Sequence, residues 1–90
     1  MTRFNALKDP ASTIDFAIDW SLWLDEDSIS DSTWSTDDGI TIDSDTETDT
    51  VATVWLSGGT EGSVYSVVNQ ITTTLGRIAE RTIEVRVVNR

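Results

Sequence analysis

Ninety residues, 38% of them hydrophobic and four of them Trp, suffice for one small domain with a modest core, which excludes wholesale disorder. The chain has no Cys and no His, which excludes disulfide staples, thiol chemistry, the commonest general base and the commonest transition-metal ligand. A net charge of −10 argues against nucleic acid and anionic membrane as partners, and no apolar run approaches the roughly 20 residues that cross a bilayer.

The first stretch, residues 1–12, reads as an extended N-terminal arm, because Pro10 holds Asp9 in extended geometry. It also lacks the apolar region of a secretory signal, so a cytosolic setting is expected. TIDFAIDW (Thr13 to Trp20) alternates, with Ile14, Phe16, Ile18 and Trp20 on one face and Asp15, Ala17 and Asp19 on the other. That period of two predicts a half-buried strand. SLWLDED carries Trp23 and Leu24 into the acidic turn Asp25-Glu26-Asp27. A strand is expected near Ser28 to Ser35, with Ile29 and Trp34 as its apolar points. Asp37-Asp38-Gly39 is a turn signal, and Ile40 and Ile42 mark a short strand after it.

DSDTETDT (Asp43 to Thr50) places acids on every second position. A calcium loop of the EF-hand type needs Gly at position 6 and a bidentate Glu at position 12; counted from Asp43, those positions are Thr48 and Val54. Extended backbone would also send successive side chains to opposite faces. The segment therefore reads as a solvated loop or an edge strand guarded by charge.

TVATVWLS (Thr50 to Ser57) predicts a strand with Ala52, Val54 and Leu56 on one face and Val51, Thr53 and Trp55 on the other. After the loop GGTEG, the run SVYSVVNQITTT predicts a long strand with Tyr65, Val67, Asn69 and Ile71 on one side. Tyr65 occupies the place of a tyrosine corner. TLGR (Thr74 to Arg77) reads as a hairpin turn, and the last strand spans about Ala79 to Val88 with Ile83, Val85 and Val87 inward. No segment sustains a 3.6-residue period. The expected fold is all-β: a small immunoglobulin-like antiparallel β-sandwich of six to seven strands over residues 13–90.

No catalytic apparatus is visible. Ser and Thr abound without a His to activate them, Lys8 lies on the expected arm, and so small a domain offers little room for a pocket. No enzymatic activity and no cofactor or metal is expected. The sequence points instead to contacts between proteins. Trp20 and Trp34 are expected in the core, whereas Trp55 is expected outward beside Val51 as an interface anchor, and Trp23 could serve either role. The six bases sit at the two ends of the chain, with none between Lys8 and Arg77. Arg3, Lys8, Arg81, Arg86 and Arg90 are therefore candidate contacts to the acidic flank of another copy, which would make a homo-oligomer.

Three stretches together, KDPASTIDFAIDWSLWL (Lys8 to Leu24), DSTW (Asp31 to Trp34) and TVWLSGGTEGSVYSVVNQITTTLGR (Thr53 to Arg77), resemble a family of small tailed-bacteriophage virion proteins of the fibre–tail adaptor or head–tail connection type. The resemblance runs from about Lys8 to Val88. It implies a non-enzymatic virion component with an immunoglobulin-like fold, present in several copies and assembled in the host cytoplasm. Its partners would be phage capsid, connector or tail and fibre proteins, and it would dock on the head, neck or upper tail. Two alternatives stand beside this reading. One is a capsid decoration protein, whose copy number scales with the capsid lattice rather than with the roughly six or twelve positions of tail symmetry. The other is an immunoglobulin-like module that grips a carbohydrate or a host surface through outward aromatics.

Overall fold

The period-two patterns become seven strands and one helical turn: β1 (Thr2–Lys8), β2 (Ile14–Asp19), α1 (Ser21–Leu24), β3 (Ile29–Thr36), β4 (Ile40–Glu47), β5 (Val51–Gly58), β6 (Val64–Thr73) and β7 (Ile78–Val87). The structure is a computed structural model that describes residues 2–88, with side chains from Ala6 onward. Two sheets face each other, one of four strands in the order β1-β7-β6-β3 and one of three in the order β2-β5-β4. With the strands lettered A to G in chain order, these are the B-E-D and G-F-C neighbours of an immunoglobulin constant domain. The first strand lies beside G instead of beside B.

Register fixes which side chains meet. In the three-stranded sheet Ile14 opposes Leu56, Phe16 opposes Val54 and Ile18 opposes Ala52, so one face of each strand is apolar and points at the other sheet. In the four-stranded sheet Tyr65 opposes Val85 and Val67 opposes Ile83. Between the sheets Trp20, Leu56, Val54, Val67, Ile71 and Val85 are all but sealed from solvent. Each such side chain contributes roughly 1.5–3 kcal/mol relative to an exposed position.

One polar side chain sits inside this core. Asn69 is fully buried and accepts from Trp20 Nε1 at 3.0 Å, while its amide donates to Ser32 Oγ at 2.9 Å and to the Thr33 carbonyl at 3.1 Å. The network ties β6, β3 and the residue before α1 together. Trp34 packs against the same core, but its buried Nε1–H has no acceptor among the described residues.

The tyrosine corner expected at Tyr65 forms. Its hydroxyl accepts the amide of Thr60, five residues upstream, at 2.9 Å. The turn beneath it demands glycine: Gly59 has φ +96°, and a Cβ there would come within 2.7 Å of Val87 Cγ2.

Two expectations are corrected. Residues 1–12 do not form an arm outside the sandwich over their described length, because residues 2–8 are β1, hydrogen-bonded in register to β7. The antiparallel reading also fails there, since β1 and β7 run parallel while every other pair is antiparallel. A parallel pair joining the two ends of the chain needs no hairpin, so it leaves no local turn signal to read.

Asp43 to Thr50 divides between strand and turn. Asp43, Asp45 and Glu47 lie on β4, an edge strand, and all three are exposed. Asp43 is the extra residue of a bulge, for Ile42 opposes Leu56 and Ser44 opposes Trp55; its Oδ1 accepts from Ser57 Oγ at 2.8 Å. Past the bulge, Asp45 and Glu47 share the face of Val54 and Ala52. A bulge combined with inward-facing charge is a device that discourages strand addition at an edge. Thr48 closes the following turn, its hydroxyl accepting the amide of Val51 at 3.1 Å.

Candidate protein interface

At one end of the sandwich, α1 and the turn between β6 and β7 are locked to each other through Asp27. Its side chain is 1% exposed. Oδ1 accepts the amides of Ser28 at 2.8 Å and Leu75 at 3.2 Å, and Oδ2 accepts Arg77 Nε at 3.1 Å. Arg77 also donates from Nη2 to the Leu24 carbonyl at 3.0 Å. Burial pushes the Asp27 carboxyl up, but hydrogen bonds from Thr73, Ser28, Arg77 and Leu75 outweigh it and hold it below the usual carboxylate range. The acidic turn is solvated only in part: Asp25 and Glu26 are exposed, whereas Asp27 is the buried hub.

That lock presents apolar tips to solvent. Leu22 is 98% exposed, Leu75 is 77% exposed and Ile78 is 66% exposed. Leu75 borders a concavity of about 380 Å³ shared with Leu24, Asp25, Glu26, Asp27 and Arg77. An apolar side chain held out on a hydrogen-bonded turn loses little conformational freedom on docking, which suits it to a partner's pocket.

Beneath the lock lies a stack of rings and cations. The Arg77 guanidinium sits 4.3 Å from the centroid of the Trp23 ring, and Trp23 meets Trp20 edge-to-face at 5.5 Å. Arg81 lies 4.1 Å from the centroid of Trp20 and donates to the Asp19 carbonyl at 3.2 Å. Such contacts are worth about 0.5–2 kcal/mol each. Trp23 is thus a half-buried part of the fold, and Arg81 covers the core instead of reaching outward.

The remaining expected interface residues are scattered. Trp55 points outward on β5, 41% exposed, between Asp15 and Ser44 on the neighbouring strands. Val51 shares that face but is half-buried opposite Asp19. Lys8 is the clearest correction: it is 1% exposed, and its ammonium donates to the carbonyls of Gly58 at 2.7 Å and Asp9 at 2.8 Å. It therefore staples the end of β1 to the end of β5 in the opposite sheet. Arg86 is exposed on the outer face of β7. The side chains of Arg3 and Arg90 lie outside the described residues.

Arg86 borders a second surface. Leu7, 49% exposed, and Val64, 48% exposed, flank it on β1 and β6, and with Ala6 and Glu84 they line a concavity of about 480 Å³. Sequence reasoning passed over Leu7, Leu22, Val64 and Leu75. The signal available was an apolar residue inside a turn, as in TLGR, where a solvated tip needs none.

These features define a small all-β domain whose surface carries exposed apolar tips and shallow grooves. A family described as podophage GP4 fiber-tail adaptor protein gp77 matches residues 8–86, and the chain belongs to that family. It is accordingly a bacteriophage structural protein of the fibre–tail adaptor kind. A comparison with curated proteins finds no match.

Proposed function

We propose that this chain is a non-enzymatic, immunoglobulin-like adaptor that seats fibre proteins on the phage tail, in several copies arranged by the symmetry of the tail. The observation that carries the reading is the family match over residues 8–86. The surface supports it, since an adaptor must grip two neighbours and apolar side chains stand exposed at both ends and on the outer face of β5. Trp55, outward among small and acidic neighbours, is the anchor proposed for a partner on the three-stranded sheet. Assembly would take place in the host cytoplasm before the virion is released.

Gold-labelled antibody against the protein, viewed on intact virions, tests the reading. Label confined to the tail at the fibre bases, in a copy number set by tail symmetry, is expected. Label spread over the capsid lattice would replace the adaptor with a decoration protein.

A further inference from the structure

Two exposed surfaces of this chain complement each other. The first is a knob: Leu75, 77% exposed, on the turn that Asp27 pins, flanked by the exposed carboxylates of Asp25 and Glu26. The second is a groove: Leu7 and Val64 around the exposed Arg86, enclosing about 480 Å³, ample for a leucine side chain. The knob is apolar with an acidic rim, and the groove is apolar with Arg86 at its wall beside Glu84, a carboxylate that already has an interaction partner. On a chain of net charge −10, Arg86 is a rare point where an acidic rim meets attraction. None of the hydrogen bonds or ion pairs among the described residues occupies it.

The two surfaces cannot meet within one molecule. Val64 opens β6 and Leu75 follows its end, so the ten-residue strand separates them by about 30 Å. The body is 41 Å along its longest axis. A knob at one end that fits a groove toward the other makes a heterologous contact, which repeats head to tail and closes into a ring when its rotation permits.

We infer that the occupant of the groove is a second copy of this chain, which inserts Leu75 between Leu7 and Val64 and sets Asp25 and Glu26 against Arg86. The inference rests on the proposed multi-copy arrangement and names the surfaces that would build it. Edge pairing through β4 is the less suited route, because its bulge and inward acids oppose strand addition.

Light scattering of the wild type, Leu75→Asp and Arg86→Glu, each alone and the two variants mixed, tests this. The wild type should grow beyond monomer mass with concentration, and added salt should weaken the growth. Each variant alone should remain monomeric, with affinity lowered at least about tenfold. The mixture should form dimers and nothing larger, because Arg86→Glu keeps its knob, Leu75→Asp keeps its groove, and one good contact survives. Both substitutions fall on exposed side chains, so melting temperatures should match the wild type and verify folding. A wild type that is monomeric throughout overturns the inference. So do variants that associate like the wild type, which would leave the multi-copy reading standing with another interface, and so does a mixture that stays monomeric. None of these results touches the labelling experiment on virions, so the two readings fail separately.

Discussion

Replacing Asn69 by Leu should destabilise the monomer by about 1–3 kcal/mol. Leucine has nearly the shape of asparagine, so the change removes hydrogen bonds without opening a large cavity. Three bonds disappear, at 3.0, 2.9 and 3.1 Å. Trp20 is 1% exposed, so water cannot replace the lost acceptor, and an orphaned buried donor costs about 1–3 kcal/mol. The Ser32 hydroxyl, 7% exposed, adds about 1 kcal/mol, and the apolar atoms of leucine recover a similar amount. Urea denaturation followed by tryptophan fluorescence measures the loss, which should appear as a lower midpoint with an unchanged slope. Trp20→Phe removes the donor, so in that background Asn69→Leu should cost about 1–2 kcal/mol less. A loss under about 1 kcal/mol, or an additive cycle, would refute the claim that the network is sealed from water.

Other outcomes follow from the same contacts. Trp34→Phe should change stability by less than about 1 kcal/mol on hydrogen-bonding grounds, because the buried Nε1–H it deletes has no acceptor among the described residues; a larger loss in urea would mean that it has an acceptor. Lys8→Met should cost about 1–3 kcal/mol by orphaning the Gly58 carbonyl, and hydrogen exchange should show β1 opening before the other strands. Trp55→Ala should lower monomer stability by about 1 kcal/mol, against about 3–5 for a core Trp, while weakening assembly; a core-sized loss in the melt would put the ring inside. Asp27 lies below the ordinary aspartate value in the folded state, so its stabilisation is present above that value and lost as pH falls through the depressed one. Asp27→Asn should lower the melting temperature at neutral pH and flatten its fall in acid, and an unchanged acid limb would count against the lock.

Much of the fold was legible because strands write their facing locally. TIDFAIDW and TVATVWLS alternate, and the register places Phe16 on Val54 and leaves Trp55 outside. The tyrosine corner and the charged edge at Asp43 to Glu47 were also visible, since each depends on near neighbours. What stayed hidden depends on residues far apart in the chain. β1 pairs with β7 across almost the whole sequence, and TRFNALK carries too little apolar alternation to announce a strand. Asp27 looks like one more solvated acid until the fold brings Leu75 and Arg77 to it. Lys8 and Arg81 were read as surface charge because bases usually are; here a carbonyl pair buries Lys8, and Arg81, half-buried, lies over the face of an aromatic ring.

An adaptor that holds fibres on the tail is needed for their attachment. Electron microscopy of particles from a phage that cannot make it tests that claim most directly. Filled heads with tails that lack fibres are expected, with fibres restored when the protein is supplied in trans. Particles that carry their full set of fibres without it would contradict the adaptor role.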